Sequence, residues 1–203
     1  MIEKIVTGSF ETNTYIISDN TECIIVDPGL DFLEYASSIK KKYSVVAILL
    51  THGHMDHIDG VRYFSNVPIY IHEADEEFFY DSRLSLYSWM NLKSPFKKGD
   101  LKIITVKDND ELELMGLKFK VIHTPGHTRG SVCYLYRNKI LSGDTLFKNS
   151  CGRTDFPTGD ALDLRRSLNK LISLPDNLDV YPGHDEKTKL GEEKKRNPFI
   201  NRK

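Results

Sequence analysis

The chain has 203 residues, with 28 Lys and Arg against 29 Asp and Glu, and 39% of its side chains are hydrophobic. A near-zero net charge excludes a general attraction for nucleic acid or an anionic membrane, and no apolar run approaches the ~20 residues of a membrane span. Three scattered cysteines (Cys23, Cys133 and Cys151) exclude a disulfide scaffold.

The length predicts a single domain over 1–203 with a core of its own. The N-terminus lacks a basic stretch followed by an apolar one. With an odd number of cysteines, this predicts a cytoplasmic location. Short strands are expected over 4–7, 13–18 and 22–27, where β-branched Ile and Val recur. Asp27-Pro28-Gly29 then breaks the pattern. Residues 32–43 predict a helix, with Leu33, Ala36 and Ile39 on one stripe and Lys40, Lys41 and Lys42 in its last turn. The apolar run 45–50 predicts a strand buried on both faces, hence a sheet covered by helices.

A short helix over 61–65, a strand over 68–71 and a helix-biased stretch over 73–91 follow. The last is rich in aromatics, namely Phe78, Phe79, Tyr80, Tyr87 and Trp89, which read either as a lid or as core. Strands are expected again over 102–105, 117–122, 131–136 and 139–141. Asp160 is placed to cap a helix striped by Leu164, Leu168 and Leu171. A last strand over 178–181 and a Lys/Glu-rich helical tail complete the chain. Two batches of strands and helices, without strict βαβ alternation, predict packed sheets with helices outside.

The chemistry concentrates in Thr51-His52-Gly53-His54-Met55-Asp56-His57-Ile58-Asp59-Gly60. Residues two apart in an extended loop project to one side, so His52 and His54 can share one metal. Asp56 and His57 lie past the turn and can face a second. At this chain's own His and Asp frequencies the spacing arises by chance in roughly one such sequence in a thousand, which sets it apart from a polar surface loop. Three more apolar strands each run into a glycine-containing loop with a further candidate ligand. These loops hold His127 (after His123-Thr124-Pro125-Gly126), Asp144 (after Ser142-Gly143) and His184 (after Pro182-Gly183). Donors carried on loops by a rigid sheet form a typical active-site arrangement.

These motifs, in the order Asp27, His-x-His-x-Asp-His, His127, Asp144, His184, resemble those of the metallo-β-lactamase superfamily. The resemblance implies an α+β four-layer αββα sandwich. By position it implies that His52, His54 and His127 hold one metal, that Asp56, His57 and His184 hold a second, and that Asp144 bridges them. It also implies that Asp27 orients a ligand rather than binding metal. A nitrogen and oxygen donor set favours two divalent ions, zinc first, and also suits iron or manganese. Such a pair would generate a bridging hydroxide, with Asp56 also able to accept a proton from the attacking water. Cys133 is expected as a buried small hydrophobe, His123 as a structural or supporting residue, and His72 as a surface residue. Lys40–Lys42 and Lys194–Arg196 are expected to be solvated faces.

Within that resemblance, Asp144 argues against the classical antibiotic-hydrolysing lactamases, which lack the bridging carboxylate. The segments 143–147 and 152–157 and the tail from Tyr181 to Phe199 resemble bacterial glyoxalase II-like hydrolases. That resemblance implies a small-molecule thioester substrate such as S-lactoylglutathione, with no nucleic-acid or membrane partner. Arg153, and more weakly Lys148, would hold a substrate carboxylate. The C-terminal helical domain of two-domain glyoxalase II is not expected, since the chain ends about twenty residues after His184. Cys151-Gly152-Arg153-Thr154-Asp155-Phe156 and His184-Asp185 also resemble persulfide dioxygenases. Those bind a single iron through equivalents of His52 or His54, His127 and Asp144. Another ester or lactone hydrolase is the remaining enzymatic alternative.

Overall fold

A computed structural model describes residues 1–200. The chain opens with an antiparallel meander of β1 (Ile2–Thr7), β2 (Thr12–Ser18) and β3 (Glu22–Val26). Helix α1 (Leu33–Lys42) leads to β4 (Ser44–Leu49), which pairs parallel to β3. Helix α2 (Met55–Ile58) and a 3-10 turn (Asp59–Tyr63) lead to β5 (Ile69–His72). Two more 3-10 segments (Glu73–Phe79 and Tyr87–Met90) precede β6 (Ile103–Val106). Strands β1 to β6 lie in sequence order as one six-stranded sheet.

The second sheet has the order β14-β13-β10-β9-β8-β7. Its members are β7 (Glu111–Leu114), β8 (Leu117–His123), β9 (Val132–Tyr136), β10 (Lys139–Gly143), β13 (Asp179–Pro182) and β14 (Thr188–Lys189). A two-stranded hairpin, β11 (Leu146–Phe147) and β12 (Ser150–Cys151), and helix α3 (Ala161–Ile172) link β10 to β13. Helix α4 (Leu190–Arg196) follows β14.

Strand alternation places the cores. Ile17, Ile24, Ala47 and Leu49 face Phe119, Val121, Tyr134 and Leu141 of the other sheet. The alternate residues Ile16, Ile25, Ile48 and Leu50 pack beneath Phe32, Ala36, Ile39 and Ile58. On the far side, Leu164, Leu168 and Leu171 of α3 cover Ile122, Ile140 and Val180. The result is the expected αββα sandwich, in which each fully buried Leu, Ile or Phe contributes roughly 1.5–3 kcal/mol. Strand β4 is sandwiched on both faces, as its unbroken apolar run predicts. Asp160 caps α3, its Oδ1 accepting from the N–H groups of Leu162 (2.8 Å) and Asp163 (2.9 Å).

Several expectations need correcting. Strands β3 to β6 are mutually parallel, so half of the molecule does alternate strand and crossover. The crossovers after β4 and β5 are mostly 3-10 turns, whose i to i+3 geometry carries no 3.6-residue stripe. The 73–91 stretch is accordingly two 3-10 turns rather than a broken α-helix. In α1 the buried stripe is Phe32, Ala36 and Ile39, while Leu33 is exposed.

Candidate metal centre

The donors sit on the loops that follow β4, β8, β10 and β13, all at one end of the sandwich. Chain direction accounts for the first group. Strand β4 ends at Leu49, the extended backbone continues through Thr51, and His52 and His54 project together into the interior. Helix α2 then begins and turns Asp56 and His57 toward the same space. Thr51 O accepts from Val132 N–H at 2.8 Å, tying this loop to the second sheet. Gly183 brings the His184 loop in close, because a Cβ there would stand 2.1 Å from Asp144 Oδ1 and 2.8 Å from His57 Cε1. Gly143 adopts φ +47°, a left-handed conformation that lets β10 turn out just before Asp144.

Three nitrogens converge. His52 Nε2 is 3.1 Å from His54 Nδ1, which is 3.0 Å from His127 Nε2. Neutral imidazoles gain nothing from pointing lone pairs at one another. A tetrahedral ion at 2.0–2.1 Å would hold such donors about 3.3 Å apart, so the spacing fits a metal. Next to them, His57 Nε2 lies 3.4 Å from Asp56 Oδ2 and 3.5 Å from Asp144 Oδ1. His184 Nε2 lies 3.4 Å from both Asp56 Oδ2 and Asp144 Oδ2. Asp144 Oδ2 also faces His127 Nε2 at 3.5 Å, so this carboxylate stands between the two groups. Buried His54 Nε2, His57 Nε2 and Asp144 Oδ1 have no hydrogen-bond partner in the structure. Buried polar atoms are normally satisfied, and the facing His57 and Asp144 atoms mark where a cation would fit.

Supporting residues set the imidazole orientations. His57 Nδ1 donates to Asp27 Oδ2 at 3.0 Å, and His127 Nδ1 to Arg153 O at 2.8 Å, leaving each Nε2 lone pair for an ion. Asp27 is itself held by Thr51 N–H (2.8 Å) and Thr51 Oγ1 (2.7 Å). It therefore sits behind His57, on the side away from Asp56 and Asp144. Burial, then repulsion among the rings, pushes His52 and His54 well below the usual imidazole range, which keeps their lone pairs available. Burial works against the charge on His57 and His184 too, but Asp56 and Asp144 outweigh it and raise them to about 9 and about 11. The same contacts hold both carboxylates well below their usual range despite burial.

Two supporting groups have no motif to announce them. Thr12 Oγ1 donates to Asp56 Oδ2 at 3.0 Å. Asp75, fully buried, accepts from Gly53 N–H (3.0 Å) and Thr128 Oγ1 (2.6 Å) on Oδ2 and from Gly130 N–H (2.8 Å) on Oδ1. It thus pins the His52/His54 loop to the His127 loop. Burial pushes its carboxyl up to about 6, with the three donors pulling the other way. It lies in the helix-biased stretch 73–91, where no local pattern marks a buried carboxylate, so only the fold reveals it.

Above the donors opens a cavity of about 460 Å³, with His54, Asp56, His127, Asp144 and His184 in its wall. Arg153 lines it and pairs with Asp155 through two contacts of 2.6 Å. Lys148 is outside this lining and pairs with Glu186 at 2.5 Å. Cys133 is buried, as expected. His123 stands apart from the donors, its Nε2 bonding Arg129 O at 2.9 Å. His72 is not a surface residue. It is buried, stacks on His123 with ring centroids 4.0 Å apart, and caps the 3-10 turn through Ala74 N–H. An imidazole is flat enough to be covered by a second ring, a pairing between β5 and β8 that sequence separation hides.

The family model of the metallo-beta-lactamase superfamily matches residues 7–184, a span that includes every donor above. The chain belongs to this superfamily. Hydroxyacylglutathione hydrolase GloC of Haemophilus influenzae is 30% identical over 213 residues, covering 100% of this chain and 99% of that protein. Among solved structures, the BLEG-1 B3 metallo-beta-lactamase is 35% identical with a TM-score of 0.90, covering 100% of both chains. TTHA1623, solved in a di-iron-bound form, is 32% identical with a TM-score of 0.82, covering 97% of this chain and 99% of that one. Among the described residues no helix is long and apolar enough to cross a membrane. The imidazole and carboxylate set found here suits two divalent ions of the zinc, iron or manganese type.

Proposed function

We propose that this protein is a metal-dependent hydrolase of small-molecule thioesters, related in chemistry to hydroxyacylglutathione hydrolases. The reading is carried by one observation, the Asp144 carboxylate standing between two donor groups at the floor of an open cavity. His52, His54 and His127 would hold one ion, Asp56, His57 and His184 the other, and Asp144 both. Divalent ions in these positions supply a water acidic enough to ionise near neutral pH and a Lewis acid for the carbonyl.

The protein's own groups do the rest. Asp56, oriented by Thr12, takes a proton from the attacking water. Water adds to the carbonyl carbon, the C–S bond breaks, and the proton passes to the departing sulfur, giving a carboxylic acid and a thiol. Asp27 and the Arg153 carbonyl keep His57 and His127 in one tautomer throughout.

Release of free thiol from S-lactoylglutathione and from simple acyl thioesters tests this, with Asp144→Asn alongside. Turnover that falls at least about a hundredfold in the variant supports the reading. Oxygen uptake on glutathione persulfide with one iron per chain would replace it by a persulfide dioxygenase. Ring opening of a chromogenic cephalosporin without thioester cleavage would replace it by a lactamase, the activity in BLEG-1's name.

A further inference from the structure

The mouth of the cavity carries apolar side chains that bond cleavage does not use. Phe10, Leu86, Trp89, Met90, Phe147 and Phe156 line it. Exposed apolar groups of this size are costly unless something covers them. Trp89 is 63% exposed, and Phe10 and Met90 are nearly half exposed. Trp89 stands edge-on to Phe156 at 4.8 Å, and Phe156 edge-on to His54 at 5.6 Å. An aromatic wall therefore runs from solvent to a candidate metal ligand.

The wall is built and held, not a loose loop. Leu86 (φ 68°) and Asn91 (φ 55°) bracket the Trp89 turn in the left-handed region, which a leucine adopts only when its surroundings enforce it. Tyr87 anchors that turn, buried, with its hydroxyl donating to Asp59 Oδ1 at 2.7 Å. Ser85 O accepts from Met55 N–H at 2.8 Å, which fixes the turn to the metal-ligand helix.

Charge points the same way. Arg153 is the only Lys or Arg among the described residues that line the cavity. Asp155 takes the Nε and Nη2 edge of its fork, and its guanidinium lies 4.0 Å above the Phe156 ring. Lys148 is committed to Glu186. Asp185 adds a carboxylate to the lining outside the proposed donor set. Beyond the donor set, a polyanionic thiol finds a single basic side chain here, already shared with a carboxylate, whereas an uncharged ring finds a face and an edge.

We propose that this wall is the specificity surface of the site, and that the substrate is a thioester carrying an uncharged aromatic group next to the scissile bond. The proposal rests on the thioester reading above. Trp89 is the chain's one tryptophan, so its emission reports on the wall without any turnover.

The test has two arms. In the first, Trp89 emission of the metal-loaded protein is titrated with the neutral thioether S-benzyl-N-acetylcysteamine and with S-methylglutathione. The benzyl probe saturates the signal at a concentration about tenfold lower or better. In the second, kcat/KM is compared for phenylacetyl-N-acetylcysteamine and S-lactoylglutathione, in the native protein and in Trp89→Ala. The aryl thioester leads by about tenfold or more, and the variant loses most of that lead through KM. An equal or stronger response to S-methylglutathione, or a preference unmoved in Trp89→Ala, overturns the proposal. Saturable emission with no cleavage of either thioester would sink the hydrolase reading but keep the aromatic site. Cleavage that favours S-lactoylglutathione would do the reverse.

Discussion

Asp75 ties together the two loops that carry the three-histidine group, and Asp75→Asn tests whether that tie matters. The amide oxygen takes the Oδ2 position and keeps Gly53 N–H and Thr128 Oγ1. The NH2 group then faces Gly130 N–H across 2.8 Å, a donor against a donor. One backbone N–H is left unpaired in a fully buried place, and the new amide donor is unpaired with it. At roughly 1–3 kcal/mol for each unsatisfied buried group, the two together cost about 2–6 kcal/mol. That is a large share of the ~5–15 kcal/mol by which a protein of this kind is stable. At about 2–4 °C per kcal/mol for a chain of this size, Tm falls by roughly 10 °C. The His52/His54 loop is also released from the His127 loop, so metal bound there weakens by about 10–100-fold. Calorimetric melting and stepwise chelator titration measure the two effects. A variant that melts within about 2 °C of the native protein and gives up its metals at the same chelator concentration would refute the reasoning.

Other consequences follow from the same geometry. Asp27→Asn deprives His57 Nδ1 of its charged acceptor and weakens one of two bound metals by about 10–100-fold, read by chelator titration. Gly183→Ala puts a methyl group where Asp144 Oδ1 and His57 now lie. Thioester turnover should drop by about a hundredfold or more while the circular-dichroism spectrum stays native. His72 gives a pH test away from the metal ligands. Burial and the His123 ring lower its pKa to about 4, against the pull of Glu73, Asp108 and Asp110. Because the folded value lies below the unfolded one of about 6.5, the unfolded chain binds the proton first. The stability contributed is therefore complete above pH ~6.5 and is lost as pH falls toward ~4, by up to about 3 kcal/mol. His72→Asn keeps an acceptor for Ala74 N–H but cannot titrate, so its stability should fall less steeply across that window.

The clustered His and Asp side chains are legible in the sequence because they are written locally. Four fall within six residues, and the other three each follow an apolar strand and a glycine. Strand β4 and the cap of α3 are legible for the same reason, since each is set by neighbours in the chain. What lies outside that range depends on residues far apart. Asp75 bonds to positions 53, 128 and 130, and nothing in the acidic run around it signals a buried carboxylate. His72 is buried by His123, 51 positions later in the chain. The 3-10 crossovers hide the parallel pairing of β3 to β6 because they lack a helical stripe. Strand β7 is four residues of alternating Glu and Leu, short enough to pass for a turn. The aromatic-rich segment divides only in three dimensions. Phe78, Phe79 and Tyr87 enter the core, while Trp89 and Met90 reach the cavity.

The central claim is that seven side chains hold two metals with Asp144 between them. Anomalous diffraction from crystals of the metal-loaded protein tests it directly. The account predicts two peaks, one enclosed by His52, His54 and His127, the other by Asp56, His57 and His184, with Asp144 reaching both. A single peak in active protein, or two peaks that Asp144 does not touch, would contradict it.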